Sequence, residues 1–210
     1  MTLFDLLFLA VLVLAAAALA GALALAGAGR RRAAGRLAAA AAIGAAVYLG
    51  VVGVVARAAP ARVIAAGRLR CYDDWCFGVA GAERTAAIGG VRAQGGFYVV
   101  HLVLHSRALK RAQRERGDRV FLLIPAGRIV VSGDGQRAWQ ALHGLAPGLD
   151  AWLQPGATVA TVRVFDVPEG IQPTGLTLVH PPGPGKLVIG DDDSFGHRPA
   201  IWLLGPAQVP

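Results

Sequence analysis

The nine residues FYVVHLVLH, at positions 97–105, alternate between two sets of side chains with a period of two. Alternation of this kind is typical of a β-strand, whose successive side chains point to opposite faces of a sheet. Tyr98, Val100, Leu102 and Leu104 would point one way. Phe97 and the other odd-numbered residues, two histidines among them, would point the other way. The stretch therefore predicts a strand in a β-rich domain.

Seven further segments rich in strand-forming residues surround this one. They lie at residues 76–80, 120–124, 129–131, 158–167, 176–179, 187–189 and 201–204. Glycine and proline turns separate them, and residues 136–143 suit a short helix. Seven or eight short strands with turns between them predict an all-β, immunoglobulin-like sandwich over residues 68–204.

Two apolar runs precede this domain. Residues 6–29 and 37–56 contain no charged side chain, and about 20 helical residues cross the roughly 30 Å core of a bilayer. The sequence thus predicts a two-helix transmembrane hairpin in residues 1–57, with helices at about 4–29 and 37–57. Residues 58–67 would be a linker, and residues 205–210 a tail.

The charges beside these helices predict the orientation of the hairpin. The short connection at residues 30–36 holds four arginines, which favours a cytoplasmic loop. Four more arginines follow the second helix at positions 57–70, but they are less densely spaced. We therefore expect a multi-pass protein of the plasma membrane whose C-terminal domain is extracytoplasmic. The first run is too long for a cleaved signal peptide, and no basic residue precedes it.

The overall charge of +8 does not indicate a nucleic-acid-binding protein. Five arginines and one aspartate lie in the first 57 residues, which leaves 16 basic and 12 acidic side chains for the rest. That balance differs from the concentrated basic stripe of a nucleic-acid binder. Residues 183–186 (GPGK) lack the remaining positions of a phosphate-binding loop, so no nucleotide is expected. The preference for arginine over lysine and the absence of asparagine suggest a GC-rich bacterial genome.

Cys71 and Cys76 are the only cysteines. A disulfide between them requires the chain to turn back within Tyr72–Trp75, because five extended residues would hold them about 16 Å apart. A disulfide suits an exported domain. The other interpretation is a redox or metal role, although the spacing matches neither C-x-x-C nor a repeated zinc pair.

Other candidate sites are weaker. His101 and His105 share a strand face but would be about 13 Å apart. A copper site would need Cys76, His101 and His180 to meet in the fold. Asp191, Asp192 and Asp193 are weak calcium candidates, because calcium loops alternate their acidic positions. No serine lies in G-x-S-x-G. We expect neither a resident metal or cofactor nor catalytic activity.

A basic segment at residues 107–119 is predicted to be a connection between strands. It includes Lys110, Arg111, Arg114 and Arg116. One interpretation is a solvated loop. The other is contact with anionic lipid headgroups, which attract basic residues near a membrane surface.

The order of several motifs resembles that of bacterial membrane-anchored domains of unknown function with a telokin-like, immunoglobulin-type β-sandwich. The resemblance covers residues 68–204. The motifs that carry it are CYDDWC at 71–76, FYVV at 97–100, LQPG at 153–156, VFDVP at 164–168 and LVIGDDDS at 187–194. The sequence departs from the pattern at His105-Ser-Arg, where such domains often carry an asparagine turn. The resemblance implies a fold and an extracytoplasmic location, but no activity.

These observations lead to two hypotheses for function. The first is a membrane-tethered extracytoplasmic binding or assembly module without catalytic activity, whose partners are the lipid bilayer and an envelope or membrane protein. The second is a redox- or metal-dependent cell-envelope protein that uses Cys71, Cys76 and histidines.

Overall fold

The computed structural model describes residues 3–181, 183–190 and 194–205. The chain divides into two compact units. The first contains two long helices and the described residues between 183 and 198. The second runs from Arg62 to Pro181 and resumes at Pro199. It is a sandwich of two β-sheets.

Helices α1 (Leu3–Gly27) and α2 (Arg31–Ala58) are long and apolar enough to cross a membrane, as the two uncharged runs predict. Helix α2 begins six residues before the expected position. The turn takes only a few residues because Gly29 adopts a left-handed conformation, with φ +75°. Arginine and alanine, which fill the start of α2, are both good helix formers.

The described residues 183–190 and 194–198 belong to the same unit as the helices. The Tyr48 hydroxyl on α2 donates a hydrogen bond to the Leu187 carbonyl, at 2.8 Å. The prediction of a strand at residues 187–189 is wrong, because a 3-10 helix (Pro184–Leu187) and a turn occupy this place. The backbone forms hydrogen bonds within this segment instead, and the Phe195 amide donates to the Lys186 carbonyl at 2.8 Å.

The sandwich has nine strands in the described residues, one or two more than expected. One sheet has the order β1-β9-β8-β5-β6, and the other has the order β2-β3-β4-β7. The strands are β1 (Val63–Ile64), β2 (Leu69–Tyr72), β3 (Trp75–Ile88), β4 (Val91–Ser106), β5 (Arg119–Ile124), β6 (Gly127–Ile129), β7 (Thr158–Val167), β8 (Gly175–Val179) and β9 (Ile201–Trp202). Strand β1 lies inside the segment expected to be a linker, so the sandwich begins before residue 68.

Strand β4 contains the alternating stretch, and its two faces differ as predicted. Tyr98, Val100, Leu102 and Leu104 are buried in the core between the sheets. Phe97 and its odd-numbered neighbour Val99 are buried on the outer face, in a second cluster that includes residues of α3 (Gly133–His143). The stretch therefore contributes to two hydrophobic clusters at once.

Helix α3 also protects the edge of a sheet. Strand β7 is the last strand of its sheet, and unpaired backbone groups at an edge invite pairing with another chain. The Gln136 side chain accepts a hydrogen bond from the Val164 amide (3.0 Å) and donates one to the Val162 carbonyl (3.2 Å). The Ser132 amide bonds the Val164 carbonyl at 2.8 Å. These contacts give hydrogen-bond partners to some of the backbone amides and carbonyls at the free edge of β7.

Two glycines in the first turn of α3 provide a test of this packing. A Cβ atom at Gly135 would lie 2.8 Å from the Phe97 ring and 2.9 Å from Val164. Overpacking of this kind costs about 1–3 kcal/mol. We therefore expect Gly135→Ala to lower the melting temperature of the detergent-solubilised protein by about 3–10 °C.

The matched control is Gly133→Ala. A Cβ at this position meets only the Arg137 side chain, at 3.5 Å, and alanine favours a helix over glycine. Its melting temperature should equal or exceed that of the wild type. Equal melting temperatures for the two variants would contradict the packing of α3 on β4.

Candidate functional site

A cleft of about 450 Å³ opens in the sandwich beside strands β5 and β7. Much of its lining is apolar, and four charged residues also line it, namely Asp118, Arg119, Asp150 and Arg163. The full lining is Gly117, Asp118, Arg119, Val120, Phe121, Val130, Val131, Gly148, Leu149, Asp150 and Arg163. An apolar cleft with a few polar groups is the usual form of a binding site.

Arg163 is half-buried and held by its own strand and by the preceding loop. Its Nη1 donates to the Thr161 hydroxyl at 2.9 Å and to the Val162 carbonyl at 2.6 Å. The Thr161 hydroxyl in turn donates to the Pro147 carbonyl at 2.5 Å. These bonds fix the position of a cation in the lining of the cleft.

The electrostatics of the cleft depend on Arg163 and Asp150. Burial lowers the pKa of the Arg163 guanidinium, and the Asp150 carboxylate acts in the opposite direction. The guanidinium keeps its charge at neutral pH because arginine is so strongly basic. Asp150 is exposed, so an anionic group of a ligand could take its place beside Arg163.

Arg163 and Asp150 are not among the candidate residues that the sequence patterns indicate. The signal that could have identified Arg163 is its position between Val162 and Val164, in an otherwise apolar part of β7. No comparable signal marks Asp150, because its role depends on how the loop before β7 folds back towards that strand.

The cysteines lie opposite each other on a tight hairpin of β2 and β3. Cys71 faces Cys76 in the strand register, with their Cα atoms 3.8 Å apart and their sulfurs at disulfide distance. The chain turns back between them as expected. Asp73 adopts a left-handed conformation (φ +52°), which aspartate tolerates better than most residues.

The histidines have separate partners. His180 lies within 2.9 Å of the Asp118 carboxylate, and both side chains are largely buried. His101 lies 3.3 Å from Glu83, and His105 lies 2.9 Å from the Thr158 hydroxyl. Within residues 3–181, 183–190 and 194–205, no three histidine, cysteine, aspartate or glutamate side chains group as they would around a metal ion. Asp191, Asp192 and Asp193 lie outside the described residues.

The basic segment connects β4 to β5, as the sequence predicts. Lys110, Arg111 and Arg116 are exposed, and Arg114 is half-buried. The Arg114 guanidinium lies 5.0 Å from the centre of the Trp152 ring. Trp152 belongs to the loop before β7, and no sequence motif marks it as a site residue.

Comparison with known proteins gives a limited result. No family model matches the chain. No curated protein matches it either. Among solved structures, the secreted protein MPT63 from Mycobacterium tuberculosis is similar at 13% identity and a TM-score of 0.43, over 71% of this chain and all of that one. A conserved hypothetical protein from Bacillus anthracis is similar at 12% identity and a TM-score of 0.41, over 55% of this chain and 88% of that one.

The short separation of the cysteines predicts a small contribution to stability. A disulfide that closes so short a loop stabilises the folded state by about 2 kcal/mol, because it lowers the entropy of the unfolded chain. We expect the double variant Cys71→Ser, Cys76→Ser to stay folded, with a melting temperature lowered by roughly 2–4 °C per kcal/mol lost. Loss of folding would show that the bond holds the whole sandwich together. Non-reducing mass spectrometry of the wild type should find two hydrogens fewer than in the reduced protein.

Proposed function

We propose that the protein is a membrane-tethered, extracytoplasmic binding module of immunoglobulin-like architecture that acts without catalysis. The observation that carries the proposal is the cleft at Arg163, whose largely apolar lining includes a hydrogen-bonded guanidinium and the exposed Asp150 carboxylate. Two helices of membrane-spanning length precede the sandwich. In a sandwich of this kind, function resides in loops and clefts held by a rigid framework.

The chemistry of the cleft favours a particular kind of partner. Phe121, Val131 and Leu149 offer an apolar lining, while Arg163 offers a guanidinium that pairs well with a carboxylate. A segment of an envelope or membrane protein that carries an apolar side chain next to an acidic one would satisfy both. Its carboxylate would replace that of Asp150.

The proposed location rests on the charges and the cysteines. The four arginines at residues 30–36, in the turn and the first part of α2, favour a cytoplasmic position for this end of the hairpin and therefore an outside position for both termini. Disulfides persist outside the cytoplasm, and the sulfur atoms of Cys71 and Cys76 lie at disulfide distance.

The redox- or metal-dependent alternative is separable by experiment. It requires Cys71 and Cys76, or histidines such as His101 and His180, to bind an ion or exchange electrons. Elemental analysis and thiol counting on purified full-length protein decide between the two hypotheses. A stoichiometric bound ion would favour the alternative.

In-cell photo-crosslinking tests the cleft. Val130 lines it and is 64% exposed, whereas Leu142 on α3 is 61% exposed and does not line it. With p-benzoylphenylalanine at position 130, we expect a discrete adduct that mass spectrometry identifies as an envelope or membrane protein. The same residue at position 142 should give no such adduct.

Charge variants then test the recognition chemistry. Arg163→Gln should reduce the adduct severalfold because it removes the cation. Asp150→Asn should increase it because the ligand no longer displaces a carboxylate. Equal adducts at positions 130 and 142, or a decrease with both charge variants, would argue against the cleft as the binding site.

A fused reporter tests the location. A reporter protein that is active only in the cytoplasm, attached after Pro210, should remain inactive in intact cells. One inserted in the turn between α1 and α2, at residues 28–30, should be active. Activity at Pro210 would reverse the orientation and leave the cysteines in a reducing compartment.

A further inference from the structure

We propose that the loop at residues 107–116, together with Trp152, binds an anionic lipid surface. This inference rests on the proposed membrane anchoring. It adds a second contact with the membrane, made by the sandwich itself.

The first observation is the composition of the loop. It carries five cations, Arg107, Lys110, Arg111, Arg114 and Arg116, against the single carboxylate of Glu115. Each basic residue near an anionic membrane strengthens binding about fivefold. Leu109, which is followed by Lys110 and Arg111, is 90% exposed. An apolar side chain among cations suits insertion between anionic headgroups.

The second observation is the neighbouring tryptophan. Trp152 is 60% exposed, although Leu153 beside it is fully buried in the core. Leu153 and Gln113 exchange backbone hydrogen bonds at 3.0 and 2.8 Å, which attaches the loop to the segment that carries the tryptophan. Tryptophan is enriched where membrane and water meet.

The third observation is that the base of the loop is fixed while its tip is exposed. The Arg107 amide donates to the Asp74 carbonyl at 2.7 Å, and Gln113 Nε2 donates to the Ser106 hydroxyl at 3.1 Å. Ala108 is buried, whereas the next three residues are exposed. The loop therefore presents its tip from a rigid base.

The fourth observation is the position of the loop within the sandwich. The loop leads into Arg119 at the start of β5, which pairs with Val179 at the end of β8. At the same end of the sheet, Thr177 of β8 pairs with Ile201 at the start of β9. Ile201 also pairs with Val63 at the start of β1. The chain connects this end of the sheet to the helical unit at residues 61–62, 181–182 and 198–199, shortly before β1, after β8 and before β9. The basic loop thus enters β5 at the same end of the sheet as the three connections to the helical unit.

Tryptophan fluorescence in the full-length protein provides the test. Neither α1 nor α2 contains tryptophan, and Trp75 and Trp202 are buried. Trp139 on α3 is half-buried against the second cluster, and its emission serves as the background that Trp152→Phe leaves in place. The protein is reconstituted into nanodiscs of brominated phosphatidylcholine, with or without about one-third phosphatidylglycerol. We expect stronger quenching of the emission in the anionic discs, and loss of that difference in Trp152→Phe. Raised salt should weaken it because exposed charges are screened.

Charge reversals identify the surface. Lys110→Glu combined with Arg111→Glu should reduce the quenching in anionic discs to less than half. The matched control, Arg92→Glu combined with Arg128→Glu, changes the same charge at the opposite end of the strands and should have no effect. Equal quenching in both kinds of disc, or equal effects of the two pairs, would overturn the proposal.

Alkaline extraction of the native membranes separates this proposal from the anchoring on which it rests. Protein that stays in the membrane pellet while Trp152 is not quenched would overturn only the lipid contact of the loop. Protein released into the supernatant would overturn the anchoring, and the lipid contact with it.

Discussion

The burial of strand β4 on both of its faces is the constraint on which the sandwich depends. Its even-numbered residues fill the core between the sheets, and Phe97 and Val99 fill a second cluster with α3. Because side chains alternate strictly, a shift of one residue in register would exchange the two sets. The long pairings of β4 with β3 and β7 are thus fixed in register. Arg163 pairs with Val100 on β4, so this register also fixes the position of Arg163 in the cleft.

Much of this architecture could be predicted from the sequence because its signals are local. The uncharged runs, the alternation at residues 97–105 and the hairpin between the cysteines each depend on neighbouring residues. The segment at 187–189 shows the limit. Its residues favour a strand, but they lie in the helical unit, where Tyr48 bonds the Leu187 carbonyl. Contacts distant in sequence override local preference there.

The cleft was not predictable in the same way. Its lining comes from four separate parts of the chain, and only Arg163 stands out from its neighbours. The basic loop, in contrast, was visible as a run of charge, while its companion Trp152 is 36 residues from Arg116 and joins it only through folding. The loop continues directly into Gly117 and Asp118 of the cleft. The two candidate surfaces are therefore adjacent along the chain.

The grouping of residues between β8 and β9 with the helices has a consequence for how such a protein can evolve. A domain joined to its anchor by one linker can be recombined freely, since a single junction separates the two. Here the chain passes between the units three times. A gene fusion that replaced residues 1–61 would separate α1 and α2 from the described residues between 183 and 198, which belong to the same unit. The helical unit and the sandwich are thus expected to be inherited together, and to diverge as one unit.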